Sequence, residues 1–270
     1  MSIDARVSPR ELEELLENGK VKVVEIRPEE DYEAGHIPGS VRISRRELED
    51  PGAAFDGTMA TPEQMNGLLS LKGIVGGEAL VVSSDVGNPH NATRFWWLMS
   101  VYGNENVRVL DGNYENWKAG GHPIETGKPG DPKPSDYRVS PPDFRQIAYR
   151  GDLLALGKDS VLLDVRTRAE YEGAIRKGAG RGGRIPGAIL LPYENNLDAK
   201  GFFKPVPELK KMYEEAGVPP EKEIVLYCMR AYRSTHTLFV LRELLGYPRL
   251  RNYEGSWIEW SNIPGFPVEI

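Results

Sequence analysis

Cys228 is the chain's one cysteine. It stands at the end of the apolar run Ile224-Val225-Leu226-Tyr227 and directly before Met229-Arg230-Ala231-Tyr232-Arg233. A run of β-branched and aromatic residues, a short loop, and then Leu238, Phe239, Leu241, Leu244 and Leu245 at helical spacing read as strand, loop and helix. In an open parallel sheet ligands gather at the carboxyl ends of the strands, so the thiol stands where a site belongs. A loop that curls around its first side chain points backbone N–H groups at the sulfur, with the positive end of the next helix behind them. Arg230 and Arg233 add fixed positive charge. Such surroundings lower a cysteine pKa from about 8.5 to between roughly 3.5 and 7.5, and the thiolate is the nucleophile. The competing reading is a buried structural cysteine, against which stand two arginines within five positions.

The elements that hold this loop belong to a chain of 270 residues, long enough for two compact domains. Composition is that of an ordinary globular protein, with 40% hydrophobic and 27% charged residues. No apolar run approaches the roughly 18 residues of a membrane span, and Met1 to Arg6 lack a signal peptide's apolar core, which predicts a cytoplasmic protein without membrane contact. A single cysteine leaves no intramolecular disulfide or cysteine-based zinc site. His36, His90, His122 and His236 show no metal-ligand spacing, so neither metal nor cofactor is expected. The net charge of −6 argues against nucleic acid, but it is unevenly spread. Residues 1–125 hold 12 Lys and Arg against 21 Asp and Glu, a net of −9; residues 126–270 hold the other 22 against 19, a net of +3. The half that carries Cys228 is basic, which suits an anionic substrate or a charge-matched face toward the acidic half.

Sliding the chain by 143 residues lays Leu80 to Trp117 on Glu223 to Trp260 without a gap, pairing Val82 with Val225, Gly112 with Gly255 and Trp117 with Trp260. The starts of the halves match too: Val7-Ser8-Pro9 answers Val139-Ser140-Pro141, and His36-Ile37-Pro38-Gly39 answers Arg184-Ile185-Pro186-Gly187. This is a duplicated α/β domain, with a first copy over 1–125, a Pro/Gly-rich exposed linker over 126–138 and a second copy over 139–270. Ser8-Pro9 with Glu11, and Thr61-Pro62 with Gln64, read as helix-starting capping boxes. Strands alternating with such helices imply a parallel sheet in each copy. The repeat fails where it matters most. Cys228 falls on Asp85, whose loop has neither thiol nor arginine, so the first copy is expected to be catalytically silent and Asp85 to bond its own backbone.

Together these residues resemble the tandem rhodanese family of sulfurtransferases. The resemblance rests on the Asp164-x-Arg166 strand end, the Gly183 to Gly187 and Gly35 to Gly39 turns, the Cys228 loop, and the closes Gly112 to Trp117 and Gly255-Ser256-Trp257. It implies two rhodanese-like domains, each a parallel sheet with helices on both faces. It also implies that Cys228 takes a sulfane sulfur from a small anionic donor, holds it as a persulfide and passes it to a thiophilic acceptor such as cyanide or a thiol. The N–H groups of residues 229 to 233 would then cradle the persulfide, while Arg233 and Arg230 bind sulfonate oxygens. Where the commoner family pattern has arginine directly after the cysteine and glycine three places after it, this chain has Met229 and Ala231; Ala231 must take a negative φ or accept strain. Mercaptopyruvate-using relatives end the loop without arginine, so Arg233 favours thiosulfate.

Three other readings stay open: a mercaptopyruvate sulfurtransferase, a cysteine phosphatase or arsenate reductase, and a non-enzymatic sulfur carrier. Against the second, Cys-x4-Arg is one residue shorter than a phosphate loop and carries no Asp or Glu as general acid. The segment Ala174 to Arg184 is inserted relative to the first half, and its Arg176, Arg181 and Arg184 are candidates for binding the donor or acceptor; a solvated surface loop is the alternative. Tyr232 is expected to face substrate beside the nucleophile. The five tryptophans are expected in core or interface, and His236 in a local hydrogen bond. Donor, acceptor and oligomeric state are left open.

Overall fold

A computed structural model describes residues 5–270. Met1 to Asp4, on which the reading of the leader and the start of the first copy partly rest, lie outside the described residues. Among the described residues no helix is long and apolar enough to cross a membrane. The chain divides into two compact units, which trade two short segments. The first comprises residues up to 51, 59–143 and 199–203; the second comprises 52–58, 144–198 and 204–270.

In the first unit β1 (Arg6–Val7), β2 (Lys22–Ile26), β3 (Val41–Ile43), β4 (Leu80–Ser84) and β5 (Val107–Leu110) form one sheet in the order β1-β5-β4-β2-β3. In the second, β6 (Ile147–Ala148), β7 (Ser160–Asp164), β8 (Ile189–Leu190), β9 (Glu223–Tyr227) and β10 (Leu250–Tyr253) repeat it as β6-β10-β9-β7-β8. Every pairing is parallel. The expected α/β duplication is therefore present, and helices flank each sheet. The central strands β4 and β9 are apolar and almost wholly buried, as strands covered on both faces must be.

The helix starts follow the sequence signals with one exception. Thr61 and Gln64 make both bonds of the capping box, at 2.7 and 3.3 Å. Ser8 makes only its own, accepting from the Glu11 N–H at 3.2 Å, because the Glu11 carboxylate turns to Arg108 at 2.9 Å. An ion pair across the unit outcompetes the second half of that box. The segment over 126–138 is largely exposed but tied down: Gly127 and Ser135 donate to the carbonyls of Glu33 and Ser70, and Tyr137 is buried against Asn104.

Behind β9 a buried polar network fixes the helix that follows Cys228. This helix, Arg233–Phe239, continues as a π-helical turn over Val240–Leu244. Asn196 accepts from the Tyr213 hydroxyl at 2.6 Å and donates to Thr237 at 3.3 Å, with the His236 ring 3.4 Å away. His236 also packs edge-on against Tyr193. Burial with little to stabilise a positive ring holds the His236 pKa down at about 3. The unfolded chain therefore takes up this proton first, near pH 6.5, and stability present above that pH is lost as the pH falls toward 3. Wild type should lose about 2 kcal/mol more than His236→Asn between pH 7 and pH 5, from roughly 1.4 kcal/mol per pH unit over the interval below 6.5. Urea unfolding of both proteins at the two pH values checks this, since carboxylates such as Glu25 and Glu194 titrate alike in both and cancel.

Candidate active site

Cys228 follows β9 directly and lies beside the end of β7, where Asp164 is in register with Tyr227. Its side chain is buried. Burial pushes the thiol up, but the Arg233 guanidinium, the N–H groups of Ser234 and Arg230 and the Ser234 hydroxyl more than offset this and leave it below its ordinary value. The Ser234 hydroxyl donates to Sγ at 3.7 Å. These fixed donors and a fixed cation favour the anionic form of the sulfur, and in a buried site their effect is larger than in water.

The charge on Arg233 is itself held by a residue that the sequence reading passed over. Arg233 donates from both terminal nitrogens to the Glu170 carboxylate, at 2.7 and 2.8 Å. Glu170 is fully buried. Burial alone would raise its pKa, but hydrogen bonds and charge from Arg233, with the Thr167 hydroxyl and N–H, bring it down to about 2. Thr167 and Glu170 form a capping box that starts the short helix Arg168–Tyr171 and so fixes where the carboxylate points. Thr167-x-x-Glu170 directly after a strand was the available signal. The Arg233 fork thus faces Glu170, not the sulfonate oxygens as expected, and Arg233 acts on the sulfur through its charge.

The loop itself is clamped from below by the turn after β10. The Ser256 hydroxyl accepts from the N–H groups of Cys228 and Ala231, at 3.3 and 3.0 Å, and donates to the Tyr253 carbonyl at 3.0 Å. Trp257 and Ile258 donate their N–H groups to the carbonyls of Cys228 and Met229. The expected cradle of N–H groups from 229 to 233 is therefore incomplete, since the Ala231 N–H turns to Ser256. Ala231 takes φ of 57°, accepting the strain. Among the described residues only Lys177, Ala231 and Ser256 are non-glycine residues with positive φ, and all three border this loop. Strain collected at one place is a mark of a functional site.

Several expected contacts are corrected. Met229 is buried in the core cluster with Tyr227, Trp257 and Trp260, because the clamp turns it inward. Tyr232, expected beside the nucleophile, is buried there as Cys228 is. Arg181 donates to the carbonyls of Trp260, Ser261, Ile263 and Phe266, capping the end of the Ser256–Asn262 helix. Arg184 lies over the Tyr171 ring and beside Glu269. Both arginines anchor the base of the insertion, Arg181 because helix-end carbonyls need donors and Arg184 through the Glu269 carboxylate and the Tyr171 ring. Its tip is left at the surface, with Arg176 exposed. Lys177 at the tip reaches toward Glu170 at 3.6 Å, while Arg230 donates to the Lys177 carbonyl at 3.4 Å. The tryptophans are buried and His236 sits in the network already described. In the first unit the Asp85 carboxylate accepts from the Asn88 side chain at 3.0 Å, not from its own backbone.

A family model for the rhodanese-like domain matches residues 8–120 and 151–263. The chain is 37% identical over 279 residues to the sulfur carrier protein TtuD of Thermus thermophilus, covering 97% of this chain and 95% of that one. It is 35% identical over 260 residues to the protein named "Putative thiosulfate sulfurtransferase 1" in Mycobacterium bovis, covering 92% of each. Among solved structures it is similar to EanB in complex with ergothioneine, at 25% identity and a TM-score of 0.87 over 98% of this chain and 70% of that one. A second EanB structure, equally similar, holds a cysteine persulfide in a tetrahedral intermediate state with ergothioneine. YnjE, at 24% identity and a TM-score of 0.87 over 98% of this chain and 68% of that one, shares the fold.

Two substitutions check this geometry. Glu170→Gln leaves a buried Arg233 without its counter-charge; it should cost about 3–5 kcal/mol in urea unfolding and lower the Cys228 pKa further, read from thiolate absorbance against pH. Ala231→Gly relieves a left-handed alanine and should raise stability by about 1 kcal/mol in the same assay.

Proposed function

The chain belongs to the rhodanese-like family, and we propose that within it this protein is a sulfurtransferase that moves sulfane sulfur from thiosulfate through a persulfide on Cys228. The observation that carries this reading is the setting of a buried thiol at the end of the central strand, bonded by the Ser234 hydroxyl and faced by the N–H groups of Arg230 and Ser234 and by an Arg233 fixed on Glu170. The Cys228 thiolate attacks the outer sulfur of thiosulfate; the S–S bond breaks and sulfite leaves with the bonding pair, giving Cys228–S–S⁻. An acceptor nucleophile such as cyanide then attacks the outer sulfur, and the Cys228 thiolate departs. Each step is an exchange at sulfur, helped by a good leaving group and by fixed charge, and neither needs an added oxidant or reductant.

In this reading Ser234 and the Arg230 N–H hold the persulfide charge, Arg233 supplies the field that Glu170 fixes in place, and the Arg230 side chain meets the anionic donor. The first unit, with Asp85 at the corresponding strand end, carries no sulfur, because a carboxylate cannot accept a sulfur atom and repels an anion.

A second reading, a sulfur carrier whose acceptor is another protein, is supported by the 37% identity to the sulfur carrier protein. Both readings share the persulfide and differ in the acceptor. Intact-mass measurement after incubation with thiosulfate should show a gain of one sulfur, reversed by cyanide and absent in Cys228→Ser. No gain from any sulfane donor, together with hydrolysis of a phosphate ester, would overturn the persulfide. A persulfide discharged by neither cyanide nor small thiols would replace the enzyme reading with the carrier.

A further inference from the structure

The segment over 52–58 belongs to the same compact unit as Cys228, although it comes from the first half of the chain. It forms a tight turn in which the Thr58 N–H and hydroxyl both bond the Phe55 carbonyl. Gly57 in this turn has φ of +88° and is seated directly on Arg230: a Cβ there would lie 2.5 Å from the Arg230 carbonyl oxygen and 2.7 Å from its Cβ. The seating places the Asp56 carboxylate 3.6 Å from Nε of Arg230. Both side chains reach solvent, with exposures of 77% for Asp56 and 28% for Arg230.

The cations of this region are not equally available to a ligand. Both terminal nitrogens of Arg233 are bonded to buried Glu170, and Lys177 also faces that carboxylate. Among the described residues, the Arg230 side chain is held by an exposed acid and by one long bond to the Lys177 carbonyl. Such contacts are weak and exchangeable, which suits a cation that must accept an incoming anion. Its backbone N–H already faces the Cys228 sulfur.

We propose that Asp56 is a specificity-determining residue of the Cys228 site. By holding a negative charge on Arg230, it lowers the attraction of the site for doubly charged donors relative to singly charged or neutral ones. This rests on the reading of Cys228 as the sulfur-accepting nucleophile. Nothing in the Cys228 loop signals such a partner, because Asp56 is 174 residues away along the chain.

The test reads charge selectivity in two ways on the full chain. The first compares alkylation rates of Cys228 by iodoacetate, an anion, and iodoacetamide, which is neutral, and so needs no sulfur transfer. Asp56→Asn should raise the iodoacetate-to-iodoacetamide ratio about two- to five-fold, the scale of an exposed charge pair, and high salt should shrink the change. Gly57→Ala keeps the charge but cannot keep the turn seated on Arg230, and should raise the ratio in the same direction. On an Arg230→Gln background, Asp56→Asn should leave the ratio unchanged. The second readout compares KM for thiosulfate, a dianion, with KM for benzenethiosulfonate, which offers a sulfane sulfur on one charge. Asp56→Asn should lower the former several-fold more than the latter, with kcat retained. An unchanged ratio in Asp56→Asn, or the same rise with Arg230 absent, overturns the proposal. If wild type transfers no sulfur from either donor while the alkylation ratio still responds, the sulfurtransferase reading fails and the control of anion access by Asp56 stands.

Discussion

The Cys228 loop depends on a buried ion pair, in which the Arg233 guanidinium near the thiol is held by the Glu170 carboxylate. Removing either partner would strand a charge in the interior, so the two hold each other in place. Arg233 also explains why burial does not raise the Cys228 thiol: burial is the largest influence on it, and the guanidinium with three hydrogen-bond donors more than offsets that and leaves the pKa below its ordinary value. Arg233 is thereby part of the scaffold of the site, and the Thr167–Glu170 capping box is what aims the scaffold.

The two units show what the duplication kept and what it gave up. Each carries, at or next to the end of the strand beside its central one, an acid paired with an arginine two residues on. Arg27 bonds Glu25 and the Gly35 carbonyl; Arg166 bonds Asp164 and the Gly183 carbonyl. Each arginine also lies over an aromatic ring at matching repeat positions, Tyr114 in one unit and Trp257 in the other. These pairs tie a strand end to the following Ile-Pro-Gly turn, which either copy needs in order to fold. The central loops have diverged. One curls around a thiol under the Ser256 clamp, and the other closes on the Asp85–Asn88 bond.

The site combines a rigid floor with a looser rim. Ser256, Ala231 and the Trp257 and Ile258 N–H groups leave the loop backbone little freedom, and Ala231 and Ser256 carry left-handed strain there. At the rim, Arg230 makes solvent-reaching contacts of 3.4 and 3.6 Å, with the Lys177 carbonyl and with Asp56, which rearrange at small cost. A fixed floor suits a reaction that forms charge at one atom, and an exchangeable rim suits ligands that must enter and leave.

Local pattern sufficed for the α/β duplication, the parallel sheets, the strand end that carries Cys228 and the loss of the thiol at Asp85. Strand and helix periods, caps and the 143-residue repeat are properties of neighbouring residues, and neighbours are what a sequence displays. The partners of the arginines were not legible. Arg181 serves four carbonyls between Trp260 and Phe266, Arg184 meets Glu269 and Tyr171, Arg233 meets Glu170, and Arg230 meets Asp56. A guanidinium is long, carries five donors and bonds whatever acceptor the fold brings within reach. Sequence therefore determined that positive charge would lie near the thiol, and tertiary structure alone decided which of those charges are bound to buried partners and which to exposed ones, because the partners lie far away along the chain.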